Sequence, residues 1–213
     1  MTTRLKLYNN ALKICGERSL ATLTENREPR RLLDEIWDDG GVKTCLEGGQ
    51  WKFAMRAIRI DYDPSITPDF GYNRAFQKPT DWCCTSSVSI DEYFKTPYLN
   101  YTDEAGYWYS DVDFLYIKYV SDDPAWGGDL STWTERFSNY VASYFANQIV
   151  FKLTSDKERI QLVKMELKET EREAKNHDAM AEPVKFPPEG GWNGARRGGR
   201  FRNDRGNRGS LIG

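Results

Sequence analysis

The apolar residues of this chain change their period twice, which sets its coarse plan. Near the N-terminus Leu5, Tyr8, Leu12 and Cys15 recur three or four apart, the stripe of an amphipathic helix. From Trp51 the period falls to two: Trp51, Phe53, Met55 and Ala57 alternate with Lys52, Ala54 and Arg56. From Trp133 the helical spacing returns through Phe137, Tyr140, Val141, Tyr144 and Phe145. The chain thus reads as a helical start, an aromatic strand-rich middle and a helical end, without internal repeats. Its 213 residues suffice for one large domain or two small ones.

Local signals refine this plan. Gly16 stands where a helix C-terminus takes a residue at positive φ. Asn26 reads as an N-cap and Pro29 as a first-turn residue, opening a second helix carried by Leu33, Ile36, Trp37 and Leu46. Gly40-Gly41 lies inside that helix and costs about 1 kcal/mol per glycine relative to alanine. A closely packed neighbouring backbone is the favoured reading, over a break. Pro64, Pro68 and Pro79 mark the next stretch as loop. Residues 87–93, 98–102, 107–110 and 114–120 read as short strands, with Glu104-Ala-Gly106 as a hairpin turn. Ser155 and Glu158 form a capping box for a last helix. Its apolar edge, Ile160, Val163 and Leu167, fades by Glu171, so the far half is solvated or held by a partner.

The expected fold is α+β, mainly α: a helical bundle with a small antiparallel β domain inserted between helices and an extended C-terminal arm. Residues 1–181 make one domain, with helices at about 4–16, 28–47, 131–153 and 156–180 and a β part at about 85–120. Residues 182–213 make a Pro-rich, then Gly/Arg-rich arm. Leu12, Leu33, Trp133, Phe137 and Tyr144 are the expected contacts between helices.

Composition narrows the chemistry. Between Trp51 and Phe151 lie 24 of the 29 aromatic residues. Such rings more often fill a small β core and its interfaces than form a stacking platform for sugar or nucleic acid. Cys15, Cys45, Cys83 and Cys84 have neither C-x-x-C nor zinc-ligand spacing and read as reduced thiols. With His177 as the single histidine, most metal and triad chemistries lose their usual base or ligand. No phosphate-binding glycine loop or nucleophile elbow occurs. Asp61 with Asp63, and Asp111 with Asp113, are the pairs able to hold a divalent cation, yet 32 acidic residues produce such pairs by chance. No cofactor and no metal is expected. Met1 to Asn10 carries no apolar signal core, and no run approaches the roughly 18 apolar residues of a membrane span, so no membrane partner is expected.

The net charge of −2 hides an asymmetry. Arg196, Arg197, Arg200, Arg202, Arg205 and Arg208 against Asp204 give the C-terminal segment +5 and leave −7 on residues 1–195. These six arginines are the candidate partner-binding residues. An arginine-glycine segment binds RNA or single strands through charge and guanidinium stacking. The other readings are a solubilising tail and an arm docked on an acidic protein surface.

Several stretches together resemble a known family. They are Leu7-Tyr-Asn-Asn-Ala-Leu-Lys-Ile-Cys-Gly-Glu17, then Leu20-Ala-Thr-Leu-Thr-Glu25, then Arg30-Arg-Leu-Leu-Asp-Glu-Ile-Trp-Asp38. Gly49-Gln-Trp-Lys-Phe-Ala54 and Ala75-Phe-Gln-Lys-Pro-Thr-Asp81 follow in the same order. The sequence over about residues 5–180 is similar to bacteriophage head-to-tail connector proteins, the adaptor or gatekeeper type also called tail tubular protein A. The resemblance implies a structural virion protein at the head-tail junction, made in the host cytoplasm and without enzymatic activity. It implies a ring, generally a dodecamer, between the portal protein and the tail nozzle or tube protein. Its partners would be the portal, neighbouring copies of itself, and genomic DNA passing without sequence recognition during ejection. Gly40-Gly41 and the Arg/Gly segment depart from the family pattern.

Overall fold

The structure, a computed structural model, describes residues 2–68 and 71–181. Helix α1 (Arg4–Cys15) forms on the predicted stripe. The Thr3 hydroxyl accepts the Lys6 N–H at its start, and Gly16, at φ +71°, donates to the Leu12 and Lys13 carbonyls at its end. The helix expected over 28–47 divides into α2 (Glu28–Asp38) and α3 (Gly41–Glu47). Gly40 breaks it by turning to φ +81°. The favoured reading, a neighbouring backbone against an unbroken helix, gives way to the break; at Gly41 a Cβ would instead meet Ile36 Cγ2 at 2.7 Å, the Ile36 carbonyl at 2.8 Å and the Phe145 ring at 3.0 Å. The cap position of α2 falls on Arg27, not Asn26, whose side chain instead accepts a bond from Arg31.

A 3-10 turn, Lys52–Ala54, interrupts the alternation that starts at Trp51, and β1 (Met55–Asp61) follows. Then come β2 (Arg74–Gln77), β3 (Trp82–Ser89), β4 (Thr102–Glu104), β5 (Tyr107–Ser110) and β6 (Phe114–Ser121). They build two antiparallel three-stranded sheets, in the orders β1-β6-β3 and β2-β5-β4. Between β4 and β5, Ala105 and Gly106 both take positive φ, the tight hairpin turn that the spacing predicts. Helices α4 (Glu135–Leu153) and α5 (Lys157–Met180) close the chain. The cap of α5 is Asp156, accepting the Glu158 N–H, in place of the expected Ser155.

These elements correct the expected α+β, mainly α helical bundle with one small inserted β domain. Among the described residues, five helices and six strands, about 43% helix and 19% strand, make a mixed α/β fold that is not clearly a bundle. The β part starts near residue 55, well before 85: the alternation from Trp51 leads into β1, and β2 lies in the stretch that Pro64, Pro68 and Pro79 mark as loop. The paired sheets also have a core of their own: Phe76, Val88, Trp108, Leu115, Ile117 and Tyr119, all buried. Division at Gly40 leaves α2 and α3 too short to run the length of α4.

The helical core gathers α1, α2, α4 and one edge of α5 around Leu12, Leu33, Trp51, Phe137 and Phe145. Leu12, Leu33, Trp133 and Phe137 are buried as expected, whereas Tyr144 sits half-buried at the rim. Cys83 and Val120 join this core from the near ends of β3 and β6. Among the described residues, no helix is long and apolar enough to cross a membrane. The expected C-terminal arm, 182–213, lies outside the described residues.

Candidate functional site

Each aspartate of the two candidate cation pairs is occupied by its own surroundings. Asp61 takes Arg59 at 3.2 Å, and Asp113 takes Arg74. Asp63 accepts the Ser65 hydroxyl and N–H, which hold its carboxyl below the usual range. Asp111 accepts the Asn73 backbone and side-chain N–H groups at 2.9 and 3.0 Å. These bonds tie the β1–β2 connection to the β5–β6 turn. Among the described residues, no group of three His, Cys, Asp or Glu side chains is arranged to hold a metal ion.

The cysteines are poor nucleophiles where they stand. Burial pushes the Cys15 thiol up to about 11 and those of Cys45 and Cys83 up to about 12, and Cys84 moves in the same direction. All four are unpaired thiols. His177 lies in the last turn of α5, where a cation suits the helix dipole.

Two charged constellations that the sequence reading missed fasten the sheets. Asp81, just before β3, accepts bonds from Ser121 (2.5 Å), Arg56 (2.9 Å) and Tyr119 (3.1 Å). Burial raises the Asp81 carboxyl, but those three donors outweigh it, so the group stays below the ordinary carboxylate value. Lys78 keeps its side chain only 7% exposed, pairs with Asp103, and holds its ammonium 3.8 Å from the Trp82 ring centroid. The indoles of Trp82 and Trp108 both donate to Thr85, whose hydroxyl donates in turn to Asp103. A third network joins α1 to α2: Arg4 and Tyr8 bond to Asp34, which also takes Arg30. Each network is enclosed by its own partners and acts as a clamp.

Several large apolar side chains also remain turned outward. The β3–β4 loop exposes Ile90, Tyr93 (70% accessible) and Leu99 (79%). On α5, Leu162 and Met165 are about two-thirds exposed, and Phe151 at the end of α4 is similarly open. Between α1, α4 and α5 runs a groove of about 560 Å³ with mostly polar walls, Lys13, Arg159, Glu166 and Glu173 among them, and Ile14, Ala142, Leu162 and Val163 as the apolar part. Large side chains left in water at two such places mark association surfaces more readily than a reaction centre. Single sequence positions give no sign of this, because Leu162 and Leu167 look alike until α5 is packed. Arg196, Arg197, Arg200, Arg202, Arg205 and Arg208 lie outside the described residues, so the structure does not place them. Against protein-family models and curated proteins, the sequence has no match.

Proposed function

We propose that the protein is a structural virion component, a ring-forming adaptor that joins the portal to the tail and forms part of the DNA channel. The observation that carries this reading is the presence of two separate sets of exposed large apolar side chains on one protomer, Ile90, Tyr93 and Leu99 on the β3–β4 loop and Phe151, Leu162 and Met165 on α4 and α5. A cyclic ring repeats a head-to-tail contact, so each subunit needs two different faces that fit one another. The ordered motifs from Leu7 to Asp81 support the connector assignment and, with it, a twelve-fold ring, portal and tail-tube partners, and a place in the virion. Electron microscopy of the protein mixed with its portal tests it, with a closed ring on the portal as the expected result. Turnover of a nucleotide, sugar or ester that one substitution abolishes would overturn it.

The six arginines from Arg196 to Arg208 favour a second reading, an RNA- or single-strand-binding protein. In that case affinity for single-stranded RNA falls steeply with added salt, and truncation after Ala181 removes it. In the connector, the same truncation leaves the domain folded but weakens joining to filled heads.

A further inference from the structure

Two neighbouring helices bury very different shares of themselves. Ten of the nineteen residues of α4 are buried, whereas α5, with twenty-four, buries only Val163 and Ala174. The seam by which α5 sits on the domain also changes character half-way. At three- and four-residue spacing it runs Ile160, Val163 and Leu167, all packed on the helical core, and then Glu171, Ala174 and Asp178. Hydrocarbon seats the first half, and a single alanine methyl is the hydrocarbon of the second.

Polar contacts hold that second half. Glu173 pairs with Arg136 of α4 where both are about half exposed, and the Asp178 carboxylate accepts the Lys52 N–H at 2.9 Å. Exposed pairs of this kind add little and weaken with salt. Glu171 takes a seam position near buried Tyr140 and Cys45, and its partner Lys175 belongs to its own helix.

The ground beneath is aromatic. Lys52 stands between Trp51 and Phe53, whose rings, like that of Tyr140, pack on Phe137. Lifting the second half hands the Glu173 carboxylate and the Lys52 N–H to water, which solvates both. We propose that residues 168–180 of α5 form a strap that leaves the domain as one cooperative unit, uncovering Tyr140 and the turn that carries Trp51 and Phe53. The first half of the helix stays seated as its anchor. This device goes beyond the ring reading and does not depend on it: an aromatic surface is kept covered by an element that is cheap to lift.

Native-state hydrogen exchange of the full chain, read residue by residue in low denaturant, tests it. The amides of residues 168–178 should share one opening equilibrium and one denaturant slope, and exchange at least about a hundredfold faster than the core amides of α4. The Lys52 amide, bonded to Asp178, should open with them. Ordinary fraying would instead give protection that rises steadily from Met180 inward, with Lys52 following a different equilibrium. Opening only with the whole domain would give these amides the protection of α4. Either result overturns the proposal. Two variants separate the strap from the rest. Glu171→Leu completes the apolar seam and should slow exchange in the strap about tenfold. Leu33→Ala, in α2, should speed exchange in α4 and leave the strap at its wild-type rate, because its opening does not pass through loss of the core. An unchanged strap in Glu171→Leu, or a strap that speeds up with α4 in Leu33→Ala, would equally refute it.

Discussion

Around Phe137 the helical layer packs ring on ring. The centroids of Trp51, Phe53, Trp133 and Tyr140 lie 4.8, 4.8, 4.9 and 6.1 Å from it. Between the two sheets the buried set is much smaller, and Asp103 of β4, paired with Lys78, accepts from Thr85 of β3 across them, while Asp81 ties Arg56 of β1 to Tyr119 and Ser121 of β6 within one sheet. The difference follows from area. A nineteen-residue helix such as α4 turns a broad apolar face inward, whereas β2 and β4 offer four and three residues. Short strands cannot bury enough hydrocarbon to hold two sheets together, so hydrogen bonds to ionised groups, individually stronger than neutral ones, supply the rest. One half of the molecule should therefore respond to lost volume and the other to lost charge.

The largest effect is expected in the helical layer. Phe137→Ala removes a fully buried ring with four aromatic neighbours and should cost about 3–5 kcal/mol in chemical denaturation. Trp133→Ala, which also loses its indole bond to the Gly127 carbonyl, belongs in the same range. A shift of less than about 1 kcal/mol in either would show that the rings are not the frame of this layer.

Next comes the charge clamp. Asp81→Asn keeps the shape but loses the ionised acceptor, and should cost about 2 kcal/mol near neutral pH. The folded carboxyl lies below its ordinary value, so its contribution is present above that value and is lost as pH falls through the lower, folded one. Wild type should consequently lose stability below about pH 4 more steeply than Asp81→Asn. Parallel acid profiles for the two would refute the clamp.

A smaller effect separates two uses of glycine. Gly41→Ala forces a methyl against Ile36 and Phe145 and should cost about 1.5 kcal/mol through overpacking. Gly106→Ala meets open space, so only the strain of its positive φ remains, and about 1 kcal/mol is expected. Smallest of all is Glu35→Gln, which removes an exposed partner of Lys152 at 3.5 Å and should move the midpoint by under about 0.5 kcal/mol.

The same contrast explains what could be read from the residues. Leu5, Tyr8, Leu12 and Cys15 announce α1, and Gly16 its end, because helical spacing and a cap are local properties. The Ala105-Gly106 turn is legible for the same reason. β1 is legible only in part: the alternation from Trp51 points to it, but the 3-10 turn at Lys52–Ala54 occupies the first residues of that pattern, and Ile58 and Ile60 are only half-buried. β2 is hidden because four residues between loops carry no period, although Phe76 within it is fully buried. Of the two readings of Gly40-Gly41 the chain uses the break, and the crowding at Gly41 comes mainly from the Ile36 and Phe145 side chains, which helical spacing alone does not bring there. The association surfaces were the least legible. Whether Tyr93 or Leu162 faces water depends on how distant elements pack, and no local pattern encodes that.

Strand β6 lies between β1 and β3, and its side chains serve both interiors: Tyr119 belongs to the sheet core and the next residue, Val120, to the helical one. Mechanically, that makes β6 the spine of the molecule. A pull along its length loads the ladders to β1 and β3 in parallel, so many hydrogen bonds must break at once. A pull across the sheets instead unzips β4 from β5 one bond at a time. The protein should thus be stiff in one direction and yielding in another, and stretching single molecules from different attachment points would register the anisotropy directly.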